Sequence, residues 1–361
     1  MNLAARLCLP LLLAALSFPV SAQQLPPDAA PLAPPTGQDI NAASLEPLLA
    51  RFATPLPDEN AAPLPPPAAD EGASEAAAEP APVLPDAAIA RLQILLDRAG
   101  VSPGVIDGYD GANVRKAVMA FAAINGLPGD GTLDPAILAR LETPDPVVMA
   151  YTITAEDVAA IVDELPTDYA DLAERDFLGY TSVPELLAER FHMDVDFLKA
   201  LNPDAGFAEG EEVAVAAPGP DLAGMVATIE ADKRLGMLRA YDATGRLLVA
   251  YPATIGSEDN PSPSGTHMVE AVVLDPDYTY NPEVNFQQGD NTEVLTLAPG
   301  PNGPVGSVWI DLSEPTYGIH GTPEPSKIDK TGSHGCVRLT NWDARELAAM
   351  VEPGVPVTFI E

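Results

Sequence analysis

Cysteine, aromatic rings and positive charge are all scarce in this chain, and each shortage limits what it can be. Cysteine occurs twice in 361 residues, as Cys8 and Cys336. Aromatic residues make up 6% against 40 prolines, so part of the chain cannot bury a core of its own. Eighteen basic residues face 53 acidic ones, a net charge of −35. Such a field repels phosphate backbones and anionic head groups, which argues against nucleic acid as a partner. Beyond the N-terminal leader, no uncharged apolar run reaches the roughly 20 residues of a membrane span.

Residues 1–22 read as a signal peptide. Arg6 supplies the positive start, Leu7 to Val20 are mostly apolar, and Val20-Ser21-Ala22 fits small-residue cleavage. Cys8 comes too early to be a lipobox cysteine and leaves with the leader. Cys336 then stands alone in an exported, oxidising compartment, where a leftover thiol suggests intermolecular pairing or a reactive nucleophile. Residues 23–85 hold 15 prolines and no sustained periodicity, the pattern of a disordered Pro/Ala/acidic linker.

Order is expected from Asp86, an N-cap for a helix through Ile89, Leu92, Leu95 and Leu96. A second helix runs through Val114, Val118 and Phe121 to Asn125-Gly126, and a third ends near Leu141. Residues 86–143 thus predict a small all-α bundle. Its Leu92-Gln93, Gly100, Pro103-Gly104, Ile106-Asp107-Gly108, Phe121, Gly126-Leu127 and Asp130-Gly131 resemble a peptidoglycan-binding type 1 domain, with Ala122 where that family carries glutamine. Residues 144–220 suggest an α+β module: a helix capped by Ser182, another ending at Asn202-Pro203, and a closing strand at Val213-Ala214-Val215. This segment resembles a LysM domain, whose opening strand would be Tyr151 to Thr154, although about 28 residues intervene before the first helix. His192, at a helix end here, reads as a surface histidine.

From residue 222 to 361 the texture is mostly β. Strands are expected at Met225–Glu230, Met237–Tyr241, Leu247–Tyr251, Val269–Val273, Ser307–Leu312 and Val355–Ile360, with one helix from Asn341 as N-cap to Val351. The lone thiol sits here in Thr331-Gly332-Ser333-His334-Gly335-Cys336-Val337-Arg338-Leu339, downstream of Ile319-His320-Gly321-Thr322. Neighbouring imidazole or guanidinium lowers a thiol pKa, and backbone N–H groups around Gly335 and Cys336 could form an oxyanion hole. These are the parts of acyl transfer through a thioester. Cysteine with two histidines could also hold zinc, but the spacing matches no zinc pattern and a structural site wants four ligands.

The I-H-G-T and S-H-G-C-V-R-L motifs resemble the signature of the L,D-transpeptidase catalytic domain, the YkuD-type fold. Ile255-Gly256, Ser262-Pro263-Ser264-Gly265-Thr266 and the run from Pro299 to Gly306 agree. The resemblance implies Cys336 as nucleophile and His320 as its base, oriented by a backbone carbonyl such as that of Gly321. It makes His334 a catalytic group that shapes the pocket and helps polarise the site, and gives Ser333 and Arg338 to positioning the acyl donor, Arg338 with the alternative of holding a substrate carboxylate. His267 lies outside this constellation and reads as structural. The implied reaction, without metal or cofactor, takes a peptidoglycan tetrapeptide stem in the periplasm, releases D-Ala and passes the acyl group to an amine of a second stem. Water, a wall-attached protein's lysine, or no chemistry at all in a wall-binding scaffold remain alternatives.

Overall fold

In the computed structural model, residues 33–56, 84–257, 259–284 and 286–361 are described. The leader 1–22 lies outside them, as do residues 23–32 and 57–83 of the expected linker. Among the described residues, no helix is long and apolar enough to cross a membrane.

Two short helices lie where the linker was expected. Helix α1 (Gly37–Ala42) begins in a capping box between Thr36 and Asp39, and α2 (Glu46–Arg51) follows. Ile40, Leu45, Leu48 and Phe52 are buried. They join the core of the downstream bundle, so residues 34–56 are part of the folded body and not a tether. Proline abundance conceals this because the apolar set is too sparse to make a core alone and completes another one. Asn41 fixes the segment by accepting from the N–H groups of Val147 and Val148 and donating to the Val148 carbonyl.

The bundle consists of α3 (Ala87–Arg98), α4 (Ala112–Ile124) and α5 (Pro135–Leu141). Asp86 caps α3 and Asp134 caps α5 through their side chains. Gln93 is buried, and its carbonyl oxygen accepts from the N–H groups of Asp107 and Gly108. The turn after α3 is thereby tied to the helix.

Strand β1 (Val148–Thr152) pairs antiparallel with β2 (Glu212–Ala216). Between them run α6 (Ala155–Ala159), α7 (Tyr169–Leu172), α8 (Val183–Arg190) and α9 (Val195–Leu201). Ser182 caps α8, and the Asn202 side chain brackets Ala214 with two hydrogen bonds. Phe191, Phe197, Leu198 and Val213 share one core with the bundle. His192 is not a free surface histidine. Its Nδ1 pairs with Asp97 at 2.9 Å and its ring stacks on Trp342 at 5.1 Å.

The C-terminal β domain holds β3 (Thr228–Asp232), β4 (Met237–Tyr241), β5 (Leu247–Pro252), β6 (Thr254–Ile255), β7 (Gly265–Leu274), β8 (Tyr278–Tyr280), β9 (Leu295–Leu297), β10 (Val308–Leu312), β11 (Gly318–His320), β12 (Val337–Arg338) and β13 (Pro356–Ile360). One nine-stranded sheet has the order β5-β4-β3-β13-β7-β10-β11-β12-β6. Its pairs are antiparallel except β13/β3 and β11/β12. Strands β8 and β9 form a separate hairpin. Helix α10 (Asn341–Met350) packs on the sheet; its N-cap is Thr340, one residue before the expected Asn341. The bundle docks on this domain through an isolated bridge of Val101 to Ala250 and a 2.5 Å ion pair of Lys116 with Asp329.

Candidate active site

The parallel pairing of β11 with β12 creates the site. Register sets Ile319 beside Val337 and His320 beside Arg338, so Cys336 enters β12 next to the strand that ends in His320. Both face a cleft of about 340 Å³ that is also lined by Tyr169, Tyr278, Phe286, Trp309, Thr316, Glu324, His334 and Arg338.

His320 is buried, with its ring stacked on Trp309 at 5.7 Å. Its Nδ1 lies 2.6 Å from the Gly321 carbonyl. A carbonyl oxygen only accepts, so Nδ1 carries the hydrogen and Nε2 keeps its lone pair. Gly321 can hold this position because a Cβ there would run into the Asn341 side chain. Burial, helped by the nearby Arg338 charge, lowers the His320 pKa to about 4. The imidazole is therefore neutral at physiological pH and ready to take a proton.

Cys336 does not carry the lowered pKa expected from its cationic neighbours. Burial pushes the thiol up, and this outweighs both the Gly318 N–H and the Arg338 charge. The thiol contacts the Thr316 carbonyl at 3.7 Å. The resting pair is thus neutral thiol with neutral imidazole, so attack must be coupled to proton removal. Thr316, a β-branched residue, holds φ of 74°, a strained conformation of the kind that gathers at functional sites.

Ser333 is placed differently from the expected donor-positioning role. It is buried; its hydroxyl accepts from the Gly256 N–H at 2.8 Å and donates to the Cys336 carbonyl at 2.7 Å. With these bonds it braces the turn that carries the cysteine. Gly335 has φ of 103°, and a Cβ there would stand 2.6 Å from Tyr317. His334 is exposed to the cleft and stacks on Phe286 at 4.6 Å. Arg338 is half-buried and lines the same cleft. Burial lowers its pKa, opposed by Glu324. His267 lies elsewhere, with Nε2 at 3.1 Å from the Ser264 carbonyl and its ring against Phe359.

Among the lining residues, Tyr169, Tyr278, Phe286, Trp309 and Thr316 escaped sequence reasoning. Trp309 left a faint signal as one of two tryptophans; the others sit in segments without periodicity.

Two curated relatives carry the name "Putative L,D-transpeptidase YkuD". The one from Bacillus licheniformis is 36% identical over 121 residues, 34% of this chain and 58% of the relative. The one from Bacillus subtilis is 45% identical over 65 residues, 18% of this chain and 40% of the relative. The chain therefore spans about half the length of these relatives. A solved L,D-transpeptidase from Mycobacterium smegmatis aligns with a TM-score of 0.32 and 18% identity, over 42% of this chain and 64% of that one. Residues 85–141 match the family described as "Putative peptidoglycan binding domain", and residues 227–359, which contain the whole cleft-forming sheet from β11 to β12, match the L,D-transpeptidase catalytic domain family YkuD.

Proposed function

We propose that this protein is a peptidoglycan L,D-transpeptidase working through a Cys336 thioester. The observation that carries the reading is the Nδ1–H of His320 donating to the Gly321 carbonyl, which leaves Nε2 as a base beside the only thiol of the described residues. Cys336 attacks the carbonyl of the third stem residue while Nε2 accepts the thiol proton. The tetrahedral intermediate collapses, the C–N bond to D-Ala breaks, and His320 returns the proton to the leaving amine. An amine of a second stem then attacks the thioester, gives its proton to His320 and frees the thiol.

The backbone N–H groups of Gly335 and Cys336 are assigned to the developing oxyanion, and His334 to shaping the pocket wall with Phe286. Arg338 is assigned to the donor's carboxylate, which suits a planar guanidinium facing the cleft. Ser333 acts on the cysteine turn. The bundle serves to hold glycan or stem, and export to the periplasm through the leader fits the substrate. A LysM-like role for residues 144–220 is supported by the order β1, α8, α9, β2 with antiparallel strands. A wall-attached protein's lysine is the acceptor to test beside a second stem.

The test is intact-mass analysis after exposure to a carbapenem, followed by analysis of products from tetrapeptide muropeptides. One acyl adduct on the wild type, none on Cys336→Ala and a cross-linked product are expected. An unmodified, folded wild type that forms no product overturns the reading.

A further inference from the structure

About 28 residues, including α6 and α7, separate the opening strand of the β1/β2 module from α8, and a LysM-like role does not account for them. In the structure this insertion leaves its own module and reaches the β8–β9 hairpin. Leu172 and Leu178 from the insertion form a small separate core with Tyr280 and Leu297 of the hairpin. The Leu178 N–H donates to the Pro299 carbonyl at 2.9 Å, and Asn302 returns a bond to the Leu178 carbonyl at 3.0 Å. At the hairpin tip, Gln288 reads the insertion twice. It donates to the Thr167 carbonyl at 3.0 Å and accepts from the Tyr169 N–H at 3.2 Å.

Tyr169 is the centre of this contact. Its ring meets Tyr280 at 5.2 Å, Phe286 at 6.1 Å and Tyr278 at 6.3 Å, all edge-on. Phe286 in turn stacks on His334, two residues before Cys336. Tyr169 also lines the cleft itself. Edge-on aromatic pairs hold their partners by geometry as well as by buried area, so one side chain sets the position of three hairpin rings.

We infer that Tyr169 is a positioning and specificity residue of the cleft. Through the insertion, the module before the β domain supplies one wall of the donor pocket and holds the β8–β9 hairpin over Cys336. The ring performs this task and the hydroxyl is dispensable. This inference rests on the transpeptidase reading for its substrate, a peptidoglycan stem peptide, but its geometric content can be measured without turnover.

Two readouts test it on the full chain. In cross-linking of tetrapeptide muropeptides, Tyr169→Ala is expected to raise the donor KM about tenfold with kcat within about threefold, and Tyr169→Phe to stay within about twofold of wild type on both. In thiol labelling, Tyr169→Ala is expected to speed reaction of Cys336 with bulky N-phenylmaleimide about fivefold, and with small iodoacetamide less than twofold. General loosening would accelerate both reagents together, so a raised ratio reports the pocket wall. A folded Tyr169→Ala with unchanged KM and an unchanged labelling ratio overturns the inference. If that variant does not fold, Gln288→Ala, which unlatches the hairpin tip, is expected to move the ratio in the same direction, and an unmoved ratio there overturns the inference too. A wild type without cross-linking activity overturns the transpeptidase reading, while the labelling ratio still decides the role of Tyr169.

Discussion

Burial of both Cys336 and His320 means that nucleophile and base store no charge between turnovers. The thiol stays protonated because burial outweighs its cationic neighbour, and the imidazole stays neutral because burial and the same Arg338 charge act together. Alkylation of Cys336 by iodoacetamide should therefore be slow at pH 6 and rise about tenfold per pH unit up to pH 9, following the thiolate fraction. Stopped-flow labelling that is fast and flat over that range would reveal a preformed thiolate–imidazolium pair instead. Gly335 poses a different residue-scale demand. A side chain there meets Tyr317 and a left-handed backbone, so Gly335→Ala is expected to cost about 1–3 kcal/mol from backbone strain alone. A lowered urea midpoint and lost adduct formation would check this. A variant as stable as wild type would show that the turn can relax.

Among the elements, those legible in the sequence carry their own signals. Asp86, Asp134 and Ser182 announce helices because their short oxygens cap them, and Met237–Tyr241 reads as a strand from its composition. The motif residues also identify themselves, since histidine, glycine and cysteine in that order have few structural uses. Elements whose burial is supplied by distant partners stay hidden. Helices α1 and α2 resemble linker because Ile40 and Phe52 complete a core begun over 30 residues later. The β8–β9 hairpin and α7 are illegible separately because each is the other's core. The bracing role of Ser333 stays hidden because its hydrogen bonds go to Gly256 and to the Cys336 carbonyl, which spacing cannot foretell. The hidden N-terminal helices are testable. Phe52→Ala should destabilise the bundle by about 3–5 kcal/mol, read as a lowered unfolding midpoint, whereas a tether residue would change nothing.

Across the whole molecule, a charged junction joins bundle, β1/β2 module and β domain. His192 pairs with Asp97 and stacks on Trp342, with Glu189 and Asp343 also facing it, and Ser102 donates to Asp343 at 3.0 Å. The His192 pKa is raised because Asp97, Asp343 and Glu189 together outweigh burial, the largest single influence, which lowers it. Burial raises Asp343, with Asp97 adding to it, and burial also raises Glu346. All three bind protons more tightly in the folded state, so folding takes up protons and stability falls as pH rises. The His192 contribution is complete below its unfolded value, about 6.5, and is lost as pH climbs through its higher folded value. Calorimetry from pH 6 to 8.5 should show a falling Tm, with a shallower slope for His192→Gln. A Tm that rises across this range would refute the assignment.

The described residues from 34 to 361 form one compact unit, and Lys116 of the bundle grips Asp329 in the loop that leads to Cys336. Modules on a flexible cord would search a sphere whose radius follows cord length. A body locked in this way behaves as a caliper. The span between whatever the bundle grasps and the thiol is set by packed side chains, so on the proposed function the protein would select bonds at one fixed distance along its polymer.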